Sequence, residues 1–245
     1  MNGLAAVAEQ VADLLLHAVL REPHRPLGLA TGRTMEPVYA ALARRFATLP
    51  PLQAEGVRRG WLSFNLDEYV GLDPADPRGF TSMMDRLLVR PLGLDPDRVR
   101  LPRGDAADPA AEADRYAADL ESHGGIGLQL LGLGLNGHVA FNEPPSGPAT
   151  RCRSVRLSRS TREQNAADFG GDPDAVPERA ITLGLAEILA AERIVLVVTG
   201  AAKAEVLRRA LGEPPTPQLP ASWLQRHPSL ELFTDAAARG EAEHR

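Results

Sequence analysis

The stretch IGLQLLGLGLNGHVAFNEPP, residues 126–145, decides how this chain is to be read. Its first half, IGLQLLGLG, is an apolar run of the kind that forms a strand buried on both faces. Its second half carries Gly132, Gly134 and Gly137 in the spacing G-x-G-x-x-G, with His138, Asn142 and Glu143 close behind. A dinucleotide-binding turn needs its third glycine to open a helix, with an acid about 20 residues further on. Gly137 is followed instead by HVAFNEPP, whose prolines stop a helix before it begins. The stretch therefore reads as a strand that ends in an irregular loop, the wall of a site and not a cofactor turn. Its glycines are expected to bring the backbone close to a small ligand, with His138 and Glu143 projecting into that space.

Working outward, similar apolar segments recur at PLGLA (26–30), GWLSFNL (60–66, ending at DEY), RSVRL (153–157), RIVLVV (193–198) and LELFTD (230–235). Helical patterns fall between them. MEPVYAALARRF (35–46) follows the turn TGRT and tolerates Pro37 in its first turn. FTSMMDRLLVRPL (80–92), EADRYAADLESHG (112–124) and AKAEVLRRAL (202–211) are further helices, and STREQNAADF (160–169) is one opened by Ser160 or Thr161. The proline-rich stretch at 213–228 reads as a structured loop over the sheet. Near the N-terminus Leu4, Val7, Val11, Leu14 and Ala18 recur at helical spacing, with Glu9, Asp13 and Arg21 elsewhere on the wheel. Strands alternating with helices predict an α/β fold: a single doubly wound, mostly parallel sheet with helices on both faces, one domain over residues 1–245.

Composition narrows the function classes. The net charge of −5 offers no general attraction to nucleic acid or an anionic membrane, so an anionic ligand must be caught by a local site. Glu9 and Asp13 interrupt the first helix as a secretory signal, and no run reaches the roughly 18 apolar residues of a membrane span. A cytoplasmic protein is expected. Cys152, the single cysteine, excludes an intramolecular disulfide and reads as a small buried hydrophobe. No metal-ligand spacing such as H-E-x-x-H is present, and neither a metal nor an organic cofactor is expected.

Four motifs sit at strand ends, where ligands bind in such folds: Thr31–Thr34, Asp67–Tyr69, Gly132–Glu143 and Gly200–Lys203. In TGRT a glycine turn before a helix points N–H groups at one spot, to which Thr31, Thr34 and Arg33 add donors for a phosphate. One histidine and two carboxylates, Asp67 and Glu143, suit proton transfer. On residue types alone the reading stops at a small anionic ligand and acid–base chemistry.

The motifs FNLDEYVGL and GLGLNGHVAFNEP resemble the glucosamine-6-phosphate deaminase/isomerase group, which shares its fold with the 6-phosphogluconolactonases. The resemblance runs from Thr31 to the proline-rich stretch near the C-terminus. FNEP, where lactonases carry Ser-Leu-Phe-Pro, favours the deaminase branch. The resemblance implies conversion of an amino-sugar 6-phosphate and water into a ketose 6-phosphate and ammonia, without cofactor. His138 would open the pyranose ring, Asp67 would move the C2 proton to C1, and Glu143 would orient His138, with Glu68 nearby. Thr31, Gly32, Thr34 and Lys203 would hold the phosphate, with Gly137 in the same loop.

Two positions depart from that pattern. Asn136 stands where many members have Asp; it can orient His138 but cannot carry charge. Ala167 stands where well-known members place a phosphate-binding arginine, which suggests that Arg33 has taken over part of that task or that the substrate is galactosamine 6-phosphate. Further alternatives are a lactonase-like enzyme and a non-catalytic sugar-phosphate sensor. The resemblance leaves a homo-oligomer open, and Val155 beside Arg153 argues against regulation by an N-acetylated sugar phosphate.

Overall fold

The computed structural model describes residues 3–20 and 25–241. Arg21, assigned above to the polar side of the first helix, lies outside them. The elements run α1 (Leu4–Leu20), β1 (Leu27–Leu29), α2 (Glu36–Ala47), α3 (Pro51–Gly60), β2 (Ser63–Asn65), β3 (Asp67–Tyr69) and α4 (Phe80–Met84). A π-helical turn, Asp85–Val89, joins α4 to the short α5 (Arg90–Leu92). Then follow β4 (Val99–Arg100), α6 (Pro109–Ser122), β5 (Leu128–Leu131), β6 (Arg153–Arg156) and α7 (Arg159–Asn165). The chain closes with β7 (Arg179–Thr182), α8 (Leu185–Leu189), β8 (Arg193–Val198), α9 (Ala204–Gly212) and β9 (Leu230–Thr234).

Among the described residues, six strands form a parallel sheet in the order β4-β2-β1-β5-β8-β9. The chain builds from β1 through β2 to β4 at one edge, then returns to β5 and builds the other half. That reversal opens a crevice beyond the carboxyl ends of β1 and β5, where open α/β sheets bind their ligands. The central strands β1 and β5 are fully buried, from Leu27 to Leu29 and from Leu128 to Leu131. Such strands need helices over them, and α1 packs against α2 and α3 while α6 contacts β6 and β7.

The expected single sheet is corrected in one respect. DEY does not extend β2 but starts β3, which pairs antiparallel with β7, and RSVRL adds β6 on the other side of β7. This three-stranded sheet, order β3-β7-β6, carries Asp67 opposite Thr182. Segments shorter than five residues show too little alternation to tell an antiparallel strand from the end of a parallel one.

Helix details differ as well. In α1 the buried stripe is Val7, Ala8, Val11, Ala12, Leu15, Leu16 and Val19, rotated from the expected one, and Leu4 is exposed. Glu9 and Asp13 explain the rotation, since both turn toward Arg44 and Arg45 of α2. Helix α7 opens earlier than expected, because Ser158 caps it by accepting from the Thr161 N–H. Within the proline-rich stretch, Pro220–Arg226 forms a 3-10 helix whose Ala221 N–H bonds the Gly137 carbonyl. Cys152 is buried, in keeping with its expected role.

Candidate active site

The crevice at the switch point is a cavity of about 310 Å³. Thr31, Gly32, Arg33 and Thr34 reach it from the carboxyl end of β1, and Asp67 and Tyr69 from β3. Gly132, Gly134 and His138 enter from the loop after β5, and Lys203 from the turn after β8. The four motifs at strand ends therefore meet in one place.

The loop after β5 is built to present His138. Its backbone closes on itself, with Gly134 N–H donating to the His138 carbonyl (2.9 Å) and Gly137 N–H to the Gly134 carbonyl (3.0 Å). Its far end is pinned to the small sheet: Phe141 N–H donates to Thr182 Oγ1 (3.2 Å) and Asn142 Nδ2 to the Leu183 carbonyl (2.8 Å). The glycines shape this loop, and Gly132 and Gly134 also bring its backbone to the cavity wall. A Cβ on Gly134 would lie 2.2 Å from His138 Cε1, so the imidazole lies flush against that backbone. Gly137 has a φ of +82°, and a Cβ there would meet Leu219 Cδ1 at 2.2 Å. It does not line the cavity.

Asn136 sets the protonation of the ring. Its Oδ1 accepts from the His138 backbone N–H (3.1 Å), which fixes the amide's orientation, and the same oxygen lies 2.6 Å from His138 Nδ1. An amide oxygen only accepts, so Nδ1 carries the proton and Nε2 keeps its lone pair. Burial, then the charge of Lys203, lowers the His138 pKa to about 4. His138 is a neutral base at physiological pH.

Glu143 does not touch His138. Its carboxylate accepts from the Ser158 N–H (3.1 and 3.3 Å), tying the loop that carries His138 to the start of α7, while Asn136 is the side chain placed to orient the ring.

Asp67 is buried, with Oδ1 accepting from Thr31 Oγ1 at 3.5 Å. Burial, then repulsion from Glu68, raises its pKa to about 8, against the smaller opposing effect of the Thr31 bond. Glu68 faces away from the cavity. Its carboxylate accepts from the N–H groups of Tyr69, Phe80 and Thr81 and from Thr81 Oγ1, all within 2.7–3.0 Å. It clamps β3 to the start of α4 and so holds Asp67 rigidly. Arg33 is exposed, its Nη2 donating to the Gln164 carbonyl at 3.4 Å. Lys203 is half-buried, and burial lowers its pKa to about 8.

The opposite wall is formed by Tyr69 and Phe141, which lie in motifs singled out above but were given no role, and by Phe80, Asn165 and Asp168, which sequence reasoning missed. Tyr69 packs at a tilt against Phe80 and Phe141, and its hydroxyl accepts from Asn165 Nδ2 at 3.0 Å. The helix carrying Asn165 and Asp168 was singled out only for Ala167, which is exposed and does not line the cavity.

A family model described as glucosamine-6-phosphate isomerases/6-phosphogluconolactonase matches residues 2–232. The glucosamine-6-phosphate deaminase of Rhodopirellula baltica is 41% identical over 239 residues, covering 95% of this chain and 90% of its own. A solved monomeric glucosamine-6-phosphate deaminase is 33% identical with a TM-score of 0.92, covering 99% of this chain and 98% of its own. The 6-phosphogluconolactonase of Trypanosoma cruzi shares the fold, with a TM-score of 0.75 at 17% identity over 99% of this chain and 95% of its own.

Proposed function

This chain belongs to the glucosamine-6-phosphate isomerase/6-phosphogluconolactonase family, and on that premise we propose that it is a glucosamine-6-phosphate deaminase. It converts glucosamine 6-phosphate and water into fructose 6-phosphate and ammonia, as a cytoplasmic enzyme without cofactor. Among the described residues no helix is long and apolar enough to cross a membrane. The observation that carries the reading is a neutral histidine and a buried carboxyl facing one cavity of sugar-phosphate size, with two cations at its rim.

The phosphate sits on the Thr31–Thr34 turn, where Arg33 and Lys203 supply positive charge and Gly32, with a φ of +91°, lets the turn close before α2. His138 Nε2 takes the proton of the C1 hydroxyl; as the bond from C1 to the ring oxygen breaks, that oxygen receives the proton. The ionised Asp67 then removes the C2 proton from the open chain, leaving an enolamine, and returns it to C1. The resulting ketimine adds water and expels ammonia. One base above both carbons suffices for the transfer, and a carboxyl clamped by its neighbour Glu68 is held there.

Ammonia release from glucosamine 6-phosphate by metal-free protein tests the reading, with galactosamine 6-phosphate and 6-phosphogluconolactone as parallel substrates. Turnover of the lactone alone overturns it, and so does binding of sugar phosphate with no ammonia from either hexosamine.

A further inference from the structure

Lys203 is the only lysine among the 27 Lys and Arg residues of the sequence. Every other basic position is arginine, whose planar fork is the better bidentate partner for phosphate. The single compact, titratable ammonium stands in the cavity wall. Among the described residues it forms no hydrogen bond or ion pair, and burial is the one influence on its titration. It is a cation held half out of water with no protein anion to neutralise it.

The charged groups around His138 come from several elements. Arg33 follows β1, Asp67 lies on β3, Asp168 follows α7 and Lys203 follows β8; all four line the cavity. Glu143, on the histidine's own loop, is taken up by the Ser158 N–H, and Glu68 by the start of α4. Of these charges, Lys203 is the one that bears on the imidazole, and it disfavours the imidazolium. The neutral Asn136 supplies no charge to offset it.

Resting on the deaminase reading, we propose that Lys203 couples phosphate binding to the proton chemistry of His138. While its ammonium is unpaired it adds to burial in disfavouring the imidazolium, and when the substrate phosphate pairs with it His138 is freer to hold the proton that ring opening moves. The imidazolium formed in that step is then tolerated only with a phosphate in place. A sugar without phosphate loses more than binding affinity; its ring is opened more slowly once bound.

Nitrogen-15 histidine NMR titration tests this without turnover, His138 being assigned against His138→Gln. Inorganic phosphate is the probe. In the free protein, Lys203→Gln should raise the His138 pKa by about one unit, a tenfold gain in proton affinity. Lys203→Arg, which keeps the charge, should leave it low. Saturating phosphate should raise it in the parent protein by at least as much as Lys203→Gln does. Coupling is overturned if phosphate leaves the parent's His138 unmoved, or if folded Lys203→Gln titrates like the parent. Should Lys203→Gln fail to fold, the phosphate arm on the parent protein decides alone. Absence of ammonia release would count against the deaminase reading and leave the titration result standing.

Discussion

Gly134→Ala is the sharpest probe of the loop that presents His138. The added methyl would lie 2.2 Å from Cε1, 2.3 Å from Nδ1 and 2.4 Å from Nε2 of the imidazole. Ordinary contact begins at 3.4 Å, so the ring must retreat by 3.4 − 2.2, about 1.2 Å. The backbone has no room to give instead, because Gly134 N–H is bonded to the His138 carbonyl and the Gly134 carbonyl to Gly137 N–H. A retreat of that size breaks the 2.6 Å bond to Asn136, and with it the tautomer that leaves Nε2 free. A misplacement near 1 Å costs roughly 10²-fold in rate, so kcat for ammonia release should fall about a hundredfold. Overpacking should also cost about 1–3 kcal/mol of stability. Competitive inhibition by inorganic phosphate should stay near the parent value, since Thr31–Thr34 and Lys203 are untouched. A folded variant with kcat within threefold of the parent would refute the account of how Gly134 and His138 fit together.

Asp67→Asn should lower kcat by about 10²–10⁴-fold, the range for a lost general base, and near-parental turnover would reassign the base. The same variant should melt higher than the parent above pH 7. The folded carboxyl is raised to about 8, so the stability it lends is full below its unfolded value of 3.8 and is lost as pH rises through about 8; Asn escapes that loss, and equal melting curves at pH 9 would contradict it. The profile of kcat/KM against pH should be a narrow bell near 8: it falls on the acid side as Asp67 takes a proton and on the alkaline side as Lys203 gives one up. A flat profile from pH 6 to 9 would remove both groups from the free enzyme's essential set. Arg33→Ala should weaken kcat/KM by about ten- to a hundredfold, mainly through KM, as expected for one charge-assisted bond; unchanged KM and unchanged phosphate inhibition would show Arg33 to be solvated.

The parallel sheet was legible because its central strands are buried on both faces and read as continuous apolar runs, from Leu27 to Leu29 and from Ile194 to Val198. The small sheet was not, since β3 and β6 are short and their pairing with β7 joins residues far apart in sequence. Asp67 and His138 could be named from their motifs, and Asn136 was read as able to orient His138, but the part Glu143 plays could not be read. Asn136 was visible as a neighbour two residues from His138, and Glu143, five residues away, was given the orienting role that geometry assigns to Asn136. Which of two polar neighbours reaches a ring depends on loop curvature, here set by Gly134 and Gly137, and sequence spacing does not encode it. The aromatic wall and Asp168 were silent for the same reason: they gather from four separate segments.

Burial drives the three titrating groups of the cavity in the same sense, toward neutrality: Asp67 up to about 8, Lys203 down to about 8 and His138 down to about 4. A site of this kind resists charge until a ligand supplies the opposite one. Glucosamine 6-phosphate brings both, an ammonium at C2 and a phosphate at C6. On the proposed mechanism, the ammonium beside Asp67 would favour the carboxylate that acts as base, and the phosphate beside Lys203 would favour the ammonium that holds it. The acid limb of kcat should therefore lie below that of kcat/KM, because the bound substrate ionises Asp67 where the empty cavity does not. Substrate charge thus completes the catalytic protonation states, and the cavity needs no ion pair of its own to do so.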